Sequence, residues 1–554
     1  MTPNQKEMVR WTALKSERSS WIGQYQEINR FLLPRSGRFL PQDRNRGNKR
    51  HNEILDGTGT WALRVLAAGM MAGMTSPARP WFRLSTGDPE LNESSAVKEW
   101  LSDVTRLMLH IFAKGNTYRA LHTGYEELGA FGTWSNIVLD DYEGVIHHYP
   151  LTVGEYAIAT DWKGNVNTLY REFQKTVAET VGEFGIENVS PTVKSLYDRG
   201  ALDEWVTILH AIEPRSDRDP RMRDAKNMAW KSCYFEPAGK SGKYLRESGF
   251  KQFPALAARW GAVGGDIYGT SPAMDAMGSV KALQQEQLRK AQGIDYKTNP
   301  PLQIPSSLKM SQVDRLPGGA TFYDGATPSA GIRTMFDVNL DLNHLLVDIQ
   351  DVRELIRTAF NADLFLMLAN STNPQMTATE VAERHEEKLL VLGPVLERLH
   401  SELLNPLIDR TFDRMIQVGM LPPPPPEMEE VELNVEFVSM LAQAQRAIST
   451  NGIDRFVGNL GVVAQMKPEV LDKFDADEWV EKYSDMLGVD PELIVPGPDV
   501  ARIRSARQEA MAAQQQAAVA EQMAGAAQKL GTVETGPDAN NAASSVLDAF
   551  SGYT

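Results

Sequence analysis

The chain of 554 residues has a single cysteine, Cys233, which excludes an internal disulfide and a cysteine-based zinc cluster and fits a reducing compartment. Long apolar runs are missing too. The longest charge-free apolar stretch, Val65 to Ala78, covers 14 residues and contains Gly69, Gly73 and Pro77. A membrane-spanning helix needs about 20, so no membrane partner is expected. The opening Met-Thr-Pro-Asn-Gln-Lys-Glu has no apolar core of a secretory signal. A basic excess is absent as well: 57 Lys and Arg face 72 Asp and Glu, for a net charge of −15. A protein built to grip nucleic acid tightly is basic on its contact face, and this one is not basic as a whole. What is present, 42% hydrophobic and 23% charged residues, is ordinary globular composition at a length of roughly three to five domains.

The charge is unevenly placed. Residues 1–80 carry 13 bases and 6 acids, with seven of the cations between Arg30 and Arg50. That basic stretch reads either as a solvated loop or as a contact for an acidic partner. Residues 281–360 carry nine charges of each sign, and residues 421–500 carry 16 acids against 5 bases.

Periodicity predicts helices over 1–33, 54–74 and 96–113, then short strands at Ile137–Leu139, Val145–Tyr149, Tyr156–Ala159 and Asn167–Phe173. Asp161 to Asn165 is a hairpin turn. A helix is expected near 176–198, strands at 204–212 and 230–236, and a turn from Pro237 to Lys243 into a strand at 243–247. The texture then becomes helical. Ser271-Pro272 is an N-cap followed by proline at the first helical position, opening a helix that runs to about Tyr296. Residues 300–340 suggest a small compact insertion, and a leucine-rich stripe from Leu342 to Phe360 a second helix. Asn361 to Met376 is non-periodic. Thr377 and Glu380 form a capping box that opens a long helix towards Gly419. Pro394 and Pro406 inside it make a straight course unfavourable, at about 3 kcal/mol or more each. Pro422 to Pro426 reads as a polyproline spacer, followed by an acidic region of helical texture. Residues 501–530, with eleven alanines and six glutamines, favour helix but lack the bulk to form a core alone. Residues 531–554 look like a disordered tail. The fold class is α+β, predominantly helical.

Signs of chemistry are weak. Gly239-Lys240-Ser241 lacks the upstream glycine of a phosphate-binding loop and reads as a hairpin turn. Gly57-Thr58-Gly59-Thr60-Trp61-Ala62 has no strand before it and reads as a helix start. His385 to Leu389 lacks the second histidine of a helical zinc site. His147 and His148 lie on opposite faces of a strand and cannot share an ion. Asp140-Asp141 is an acidic turn, and Cys233 a small buried residue. No nucleophile elbow appears. No catalytic, cofactor or metal site, and no enzyme, is expected.

The order of parts resembles a known family. Asn116-Thr117-Tyr118-Arg119 leads through Leu128-Gly129-Ala130-Phe131-Gly132 into strands. Tyr268-Gly269-Thr270-Ser271-Pro272 leads into a helix, Thr377-Ala378-Thr379-Glu380-Val381 opens another, and Leu403 to Pro406 continues it. Over roughly residues 10–490 this is similar to the portal, or head-to-tail connector, proteins of short-tailed, podovirus-type bacteriophages. The resemblance implies a ring of probably twelve subunits at the unique capsid vertex of the virion, assembled in the host cytoplasm. Double-stranded DNA would be packaged and ejected through it, and major capsid protein, scaffold, the terminase motor and tail adaptor proteins would bind it. By position, 1–270 would be the wing, 271–299 and 341–360 the stem helices, and 300–340 the clip. Residues 361–376 would be the channel loop, 377–420 the kinked helix of the wing, 421–500 the acidic crown, and 501–530 a helical barrel. Asn370, Ser371, Thr372, Asn373 and Gln375 are the candidates to touch DNA. Lys281, Arg289, Lys290, Arg353 and Arg357 would form channel rings or inter-subunit bridges. A structural adaptor or scaffold without a channel is the alternative. A nucleotide-driven motor is disfavoured by the missing phosphate-binding loop.

Overall fold

The computed structural model describes residues 3–43, 47, 50, 52–88, 91–92, 94–219, 221–222, 224–237, 243–305, 316–323, 333–335, 342–370, 392–428, 433–439, 441, 456–465, 467–487, 495 and 497–531. They divide into two compact units, Met1–Gly87 with Glu99–Asp475, and Asp88–Lys98 with Ala476–Thr554.

The first unit opens with helix α1 (Pro3–Phe31), whose Trp11, Leu14, Arg18, Tyr25 and Ile28 recur at helical spacing and are all buried. Helix α2 (Thr58–Met74), strand β1 (Phe82–Thr86), helix α3 (Ser95–Lys114, in this unit from Glu99 on) and helix α4 (Thr117–Phe131) follow. Strands β2 (Thr133–Asp141), β3 (Val145–Leu151), β4 (Tyr156–Thr160) and β5 (Val166–Thr176) lie where the alternation predicts them, each longer than its apolar signal. The β4–β5 turn is closed by the Asp161 N–H donating to the Asn165 carbonyl at 2.8 Å. The helix expected near 176–198 is two helices, α5 (Val177–Phe184) with a complete Thr176–Glu179 capping box, and α6 (Pro191–Asp198) capped by Ser190.

Strands β6 (Trp205–Pro214), β7 (Trp230–Phe235) and β8 (Arg246–Phe250) complete a five-stranded antiparallel sheet in the order β4-β5-β6-β7-β8. One face packs on α1 through Trp11, Leu14, Tyr170, Leu209 and Phe235. The other receives α5 and α6 through Phe173, Val177, Phe184, Ile208 and Tyr234. Residues 238–242 lie outside the described residues, but β7 and β8 on either side pair antiparallel, as a hairpin requires. Strand β9 (Ala255–Arg259) joins β2 and β3 in a second sheet, order β3-β2-β9.

Helix α7 (Pro272–Thr298) begins at the Ser271 cap as expected. The insertion after it holds β10 (Leu302–Pro305), β11 (Ala320–Tyr323) and β12 (Arg333–Thr334), with β10 parallel to β11 and antiparallel to β12. Helix α8 (Leu342–Ala359) packs along α7.

Over 361–370 the structure corrects the expectation of an irregular segment. Asn361, at φ +50°, ends α8, and Ala362–Asn370 forms a further helix, α9. Its run Leu364-Phe365-Leu366-Met367-Leu368 shows no helical period because it is not amphipathic: Leu364 and Phe365 are both buried. Phe365 sits on Gly69 of α2, where a Cβ would lie 2.3 Å from the ring. Ser371, Thr372, Asn373 and Gln375, and the capping box at Thr377, lie outside the described residues.

Residues 392–399 are helical, His400–Leu404 form a π-helical turn, and helix α10 (Asn405–Val418) continues from it with Pro406 in its first turn. The expected departure from a straight α-helix takes this form, since Pro406 has no N–H to give the preceding turn. Among its described residues the acidic region is not helical throughout. Strand β13 (Leu433–Phe437) pairs antiparallel with β1, and the Trp100 indole donates to the Pro422 carbonyl at 3.1 Å. The proline run is therefore fastened to α3 rather than left as a free spacer.

The second unit contains α11 (Ala476–Leu487) and α12 (Gly497–Gly531), which spans the alanine-rich segment.

Candidate functional site

The α7–α8 pair is set into the first unit by two family-like motifs that meet in space. Gly132 ends α4 in the left-handed conformation, φ +72°, and a Cβ there would stand 2.4 Å from the Gly269 carbonyl. The Gly269 N–H donates to Thr133 Oγ1 at 2.8 Å, and the Trp260 N–H donates to the Gly132 carbonyl at 2.9 Å. Ser271 then serves twice. Its Oγ donates to the Ala130 carbonyl at 2.7 Å and accepts the Met274 N–H at 3.2 Å. One hydroxyl thus ties the C-terminus of α4 to the N-terminus of α7.

Further along, α7 and α8 converge on Asp56, in the loop before α2. Asp56 Oδ1 accepts the Thr58 N–H at 2.9 Å and the Thr58 hydroxyl at 2.6 Å. Oδ2 accepts Gln287 Nε2 at 2.9 Å, Arg353 Nη2 at 2.8 Å and Arg353 Nε at 3.1 Å. Gln284 completes the seat: its Oε1 accepts the Leu55 and Asp56 N–H groups, and its Nε2 donates to the Asp56 carbonyl. Burial pushes the Asp56 carboxyl up, but the bonds from Thr58 and Arg353 outweigh it and hold it below the usual carboxylate range.

The five cations singled out from sequence therefore differ in situation. Arg353 is bound to Asp56 of the same chain, and Lys281 bridges to Glu27 of α1 at 2.7 Å. Arg357 lies over the Trp61 ring, 5.6 Å from its centroid, with Glu354 at 3.8 Å. Arg289 is exposed and Lys290 half-buried on α7. Between the helices, Glu286 faces Asp348; burial first, then the Asp348 charge, raises the Glu286 carboxyl. With four bases against three acids on α7, and two against three on α8, the pair is electrically neutral. Of the residues chosen as DNA contacts, only Asn370 is described, at the end of α9.

Of the motifs set aside from sequence, Gly239-Lys240-Ser241 and His385 to Leu389 lie outside the described residues, and the others lie in ordinary places. Gly57 precedes α2 as a helix start. His148 is buried with its Nδ1 2.6 Å from Asn136 Nδ2, while His147 is exposed on the other face of β3. Burial holds the His148 ring to a pKa of about 3. Asp141 closes the β2–β3 turn by accepting the Gly144 N–H, and Asp140 faces Arg410 and Arg414 of α10 at 3.8 and 3.6 Å. Cys233 is buried, its thiol pushed up to about 12. Among the described residues no cluster of His, Cys, Asp or Glu could hold a metal ion, and no helix is long and apolar enough to cross a membrane.

Sequence reading missed several anchors. Asp56 and Gln284 gave no periodic or motif signal. Glu402, carried by the π-turn, accepts the Arg259 N–H at 2.9 Å and Arg259 Nη2 at 2.6 Å, joining β9 to the proline-interrupted helix. The nearby Leu403-Leu404-Asn405-Pro406 run was the available clue.

A family model described as bacteriophage head to tail connecting protein matches residues 4–495. A probable portal protein of Bordetella phage BPP-1 is 67% identical over 547 residues, covering 99% of this chain and 98% of that protein. The portal protein of Salmonella phage epsilon15 is 45% identical over 514 residues, covering 92% of each. Among solved structures, a chain in the neck of an empty gene transfer agent particle aligns at 12% identity with a TM-score of 0.36, over 82% of this chain and 96% of that one.

Proposed function

The chain belongs to the bacteriophage head to tail connecting proteins, the portal family, and from that premise we propose that twelve copies close into a ring at one capsid vertex through which double-stranded DNA enters and leaves. In this reading residues 1–270 are mainly wing, α7 and α8 the stem, and the β10–β12 insertion the clip that meets the terminase motor and then the tail adaptors. Residues 361–376 are the channel loop, now with a helical first half, and 377–420 the kinked helix of the wing. The crown is the acidic 421–500 region, with the part around β13 anchored to β1, and α12 extends it as a barrel. Capsid and scaffold proteins contact the outside of the ring.

The observation that carries the proposal is the neutrality of the α7–α8 pair, with Lys281 and Arg353 engaged by acids elsewhere in the same chain and Arg357 beside Glu354 of its own helix. A helix of 27 residues such as α7 spans about 40 Å. Duplex DNA passes about 24 phosphates through that length. A stem rich in free arginine and lysine would hold the duplex by counterion release and oppose its movement, whereas a neutral one lets it pass. Arg289, Lys290 and Arg357 are assigned to contacts between neighbouring stems.

Electron microscopy of the purified protein, viewed down a symmetry axis, tests the ring directly. The expected particle is hollow, with a mass of about 740 kDa from twelve chains of 61.6 kDa. A monomer or dimer at high concentration would instead favour the adaptor reading. For the channel loop, deletion of residues 368–375 is expected to leave rings and empty heads intact while impairing complete packaging or genome retention. Normally filled, stable heads from that deletion would refute the assignment.

A further inference from the structure

The five-stranded sheet carries a polar cleft unrelated to the α7–α8 pair. On the face turned towards β2 and β3, Arg171 of β5 stands opposite His210 of β6, His210 opposite Tyr234 of β7, and Tyr234 opposite Arg246 of β8. Above this row is a cavity of about 250 Å³, walled by Leu139, Tyr149, Phe173 and Phe250 and reached by Lys175, Ser232 and Ser248.

The charge in the cleft is out of balance. Arg171 is 6% exposed, and its guanidinium lies between Tyr149, 4.5 Å from the ring centroid, and Phe173, 4.3 Å. Its Nε and Nη1 are buried and have no hydrogen-bond partner. Those two nitrogens have lost their hydration without gaining an acceptor, a cost protein interiors seldom leave uncompensated. The acid whose field it shares is Glu155, which burial pushes up against the pull of Arg171 and Arg38. Lys175 and Arg246 both pair with Glu183, the latter at 3.2 Å. Three cations and one carboxylate thus line the cavity. His210 adds no charge: it is buried, stacked on Tyr234 at 3.8 Å with Nε2 2.9 Å from Ser232 Oγ, and burial with the nearby arginines keeps its ring neutral.

We propose that this cleft binds a small phosphomonoester or the free phosphate ion, held by Arg171, Arg246 and Lys175 with the Ser232 and Ser248 hydroxyls as donors. The surplus of two positive charges matches a dianion, which a single carboxylate would not neutralise. The aromatic walls suit a flat organic group on the phosphate, and a volume of about 250 Å³ admits a small molecule but not a duplex.

Isothermal titration of the intact protein with inorganic phosphate, a 5′-nucleoside monophosphate and acetate, at matched ionic strength, tests this. Saturable binding of phosphate or the nucleotide, with acetate at least tenfold weaker, is the expected result. Tighter binding of the nucleotide would identify an organic phosphate as the ligand; equal binding would identify the ion itself. Arg171→Gln should weaken phosphate at least tenfold. Because Arg171 is buried, Arg246→Gln and Ser248→Asp serve as variants at more accessible positions, each expected to weaken phosphate with circular dichroism unchanged. The assignment is overturned by wild-type protein that does not bind phosphate, by acetate binding equally well, or by full phosphate affinity in folded Arg246→Gln and Ser248→Asp. It is also overturned if a short duplex competes as strongly per phosphate as the free ion.

Discussion

Two arginines reach across to carboxylates at nearly the same distance, one in each unit of the chain. Arg353 of α8 meets Asp56 at 2.8 Å, and Arg504 of α12 meets Asp477 of α11 at 2.7 Å. Their surroundings differ completely. Asp56 is 8% exposed and also receives Thr58 and Gln287, whereas the Arg504 and Asp477 side chains are 57% and 58% exposed. An exposed pair exchanges protein contacts for water and is screened by salt. A buried acid left alone keeps its full desolvation cost. Distance therefore says little about what an ion pair contributes; burial decides.

Three probes test the contrast. Arg353→Met should destabilise the first unit by about 2–3 kcal/mol in chemical denaturation, somewhat under the usual cost of breaking a buried pair because Arg353 itself is partly exposed. Asp56→Asn combined with Arg353→Met should recover at least half of that loss. A single-variant cost within error of zero would show that Thr58 and Gln287 suffice.

The second probe is a buried acid with no ion pair among the described residues. Glu127 of α4 is 1% exposed and accepts bonds from Ser36, Thr152 and the Val153 N–H, yet burial raises its pKa to about 7. Because the folded state holds this proton more tightly than the unfolded chain, its stabilising contribution is complete below about pH 4.5 and is lost as pH rises to about 7. Glu127→Gln should therefore remove a decline on the order of 2 kcal/mol between pH 5 and pH 8, read from denaturation midpoints across that range. An unchanged slope would show that Glu127 stays ionised in the fold.

The smallest effect is expected from Arg504→Ala, which should leave the main melting transition in place and alter helix content only at low salt. A large loss of stability would mean that the α11–α12 contact is shielded in the assembled protein. Every side chain from Ala501 to Gln522 is exposed in the single chain, so α12 relies on alanine's propensity and on whatever neighbours assembly provides.

Legibility follows the same physical line. Ser271-Pro272, the α8 stripe and the Asp161–Asn165 turn are local signals, and each was found where the spacing put it. Helix α9 escaped notice because apolar positions all round leave no period to detect. Strand β13, inside an acidic and proline-rich region, forms only because β1 offers an edge to it. The cation types on the stem helices were readable, but not that Arg353 and Lys281 already have acids within the chain.

The amino-acid order by itself determined the caps, turns, helical stripes and regional charge, since these depend on neighbours a few residues away. It also contained the motif order that marks the family. Which charges are neutralised, which polar groups are sealed from water and where an unsatisfied arginine lines a cavity were decided by the tertiary structure alone. Those properties depend on dielectric surroundings created by residues far apart in the chain, 297 positions in the case of Asp56 and Arg353.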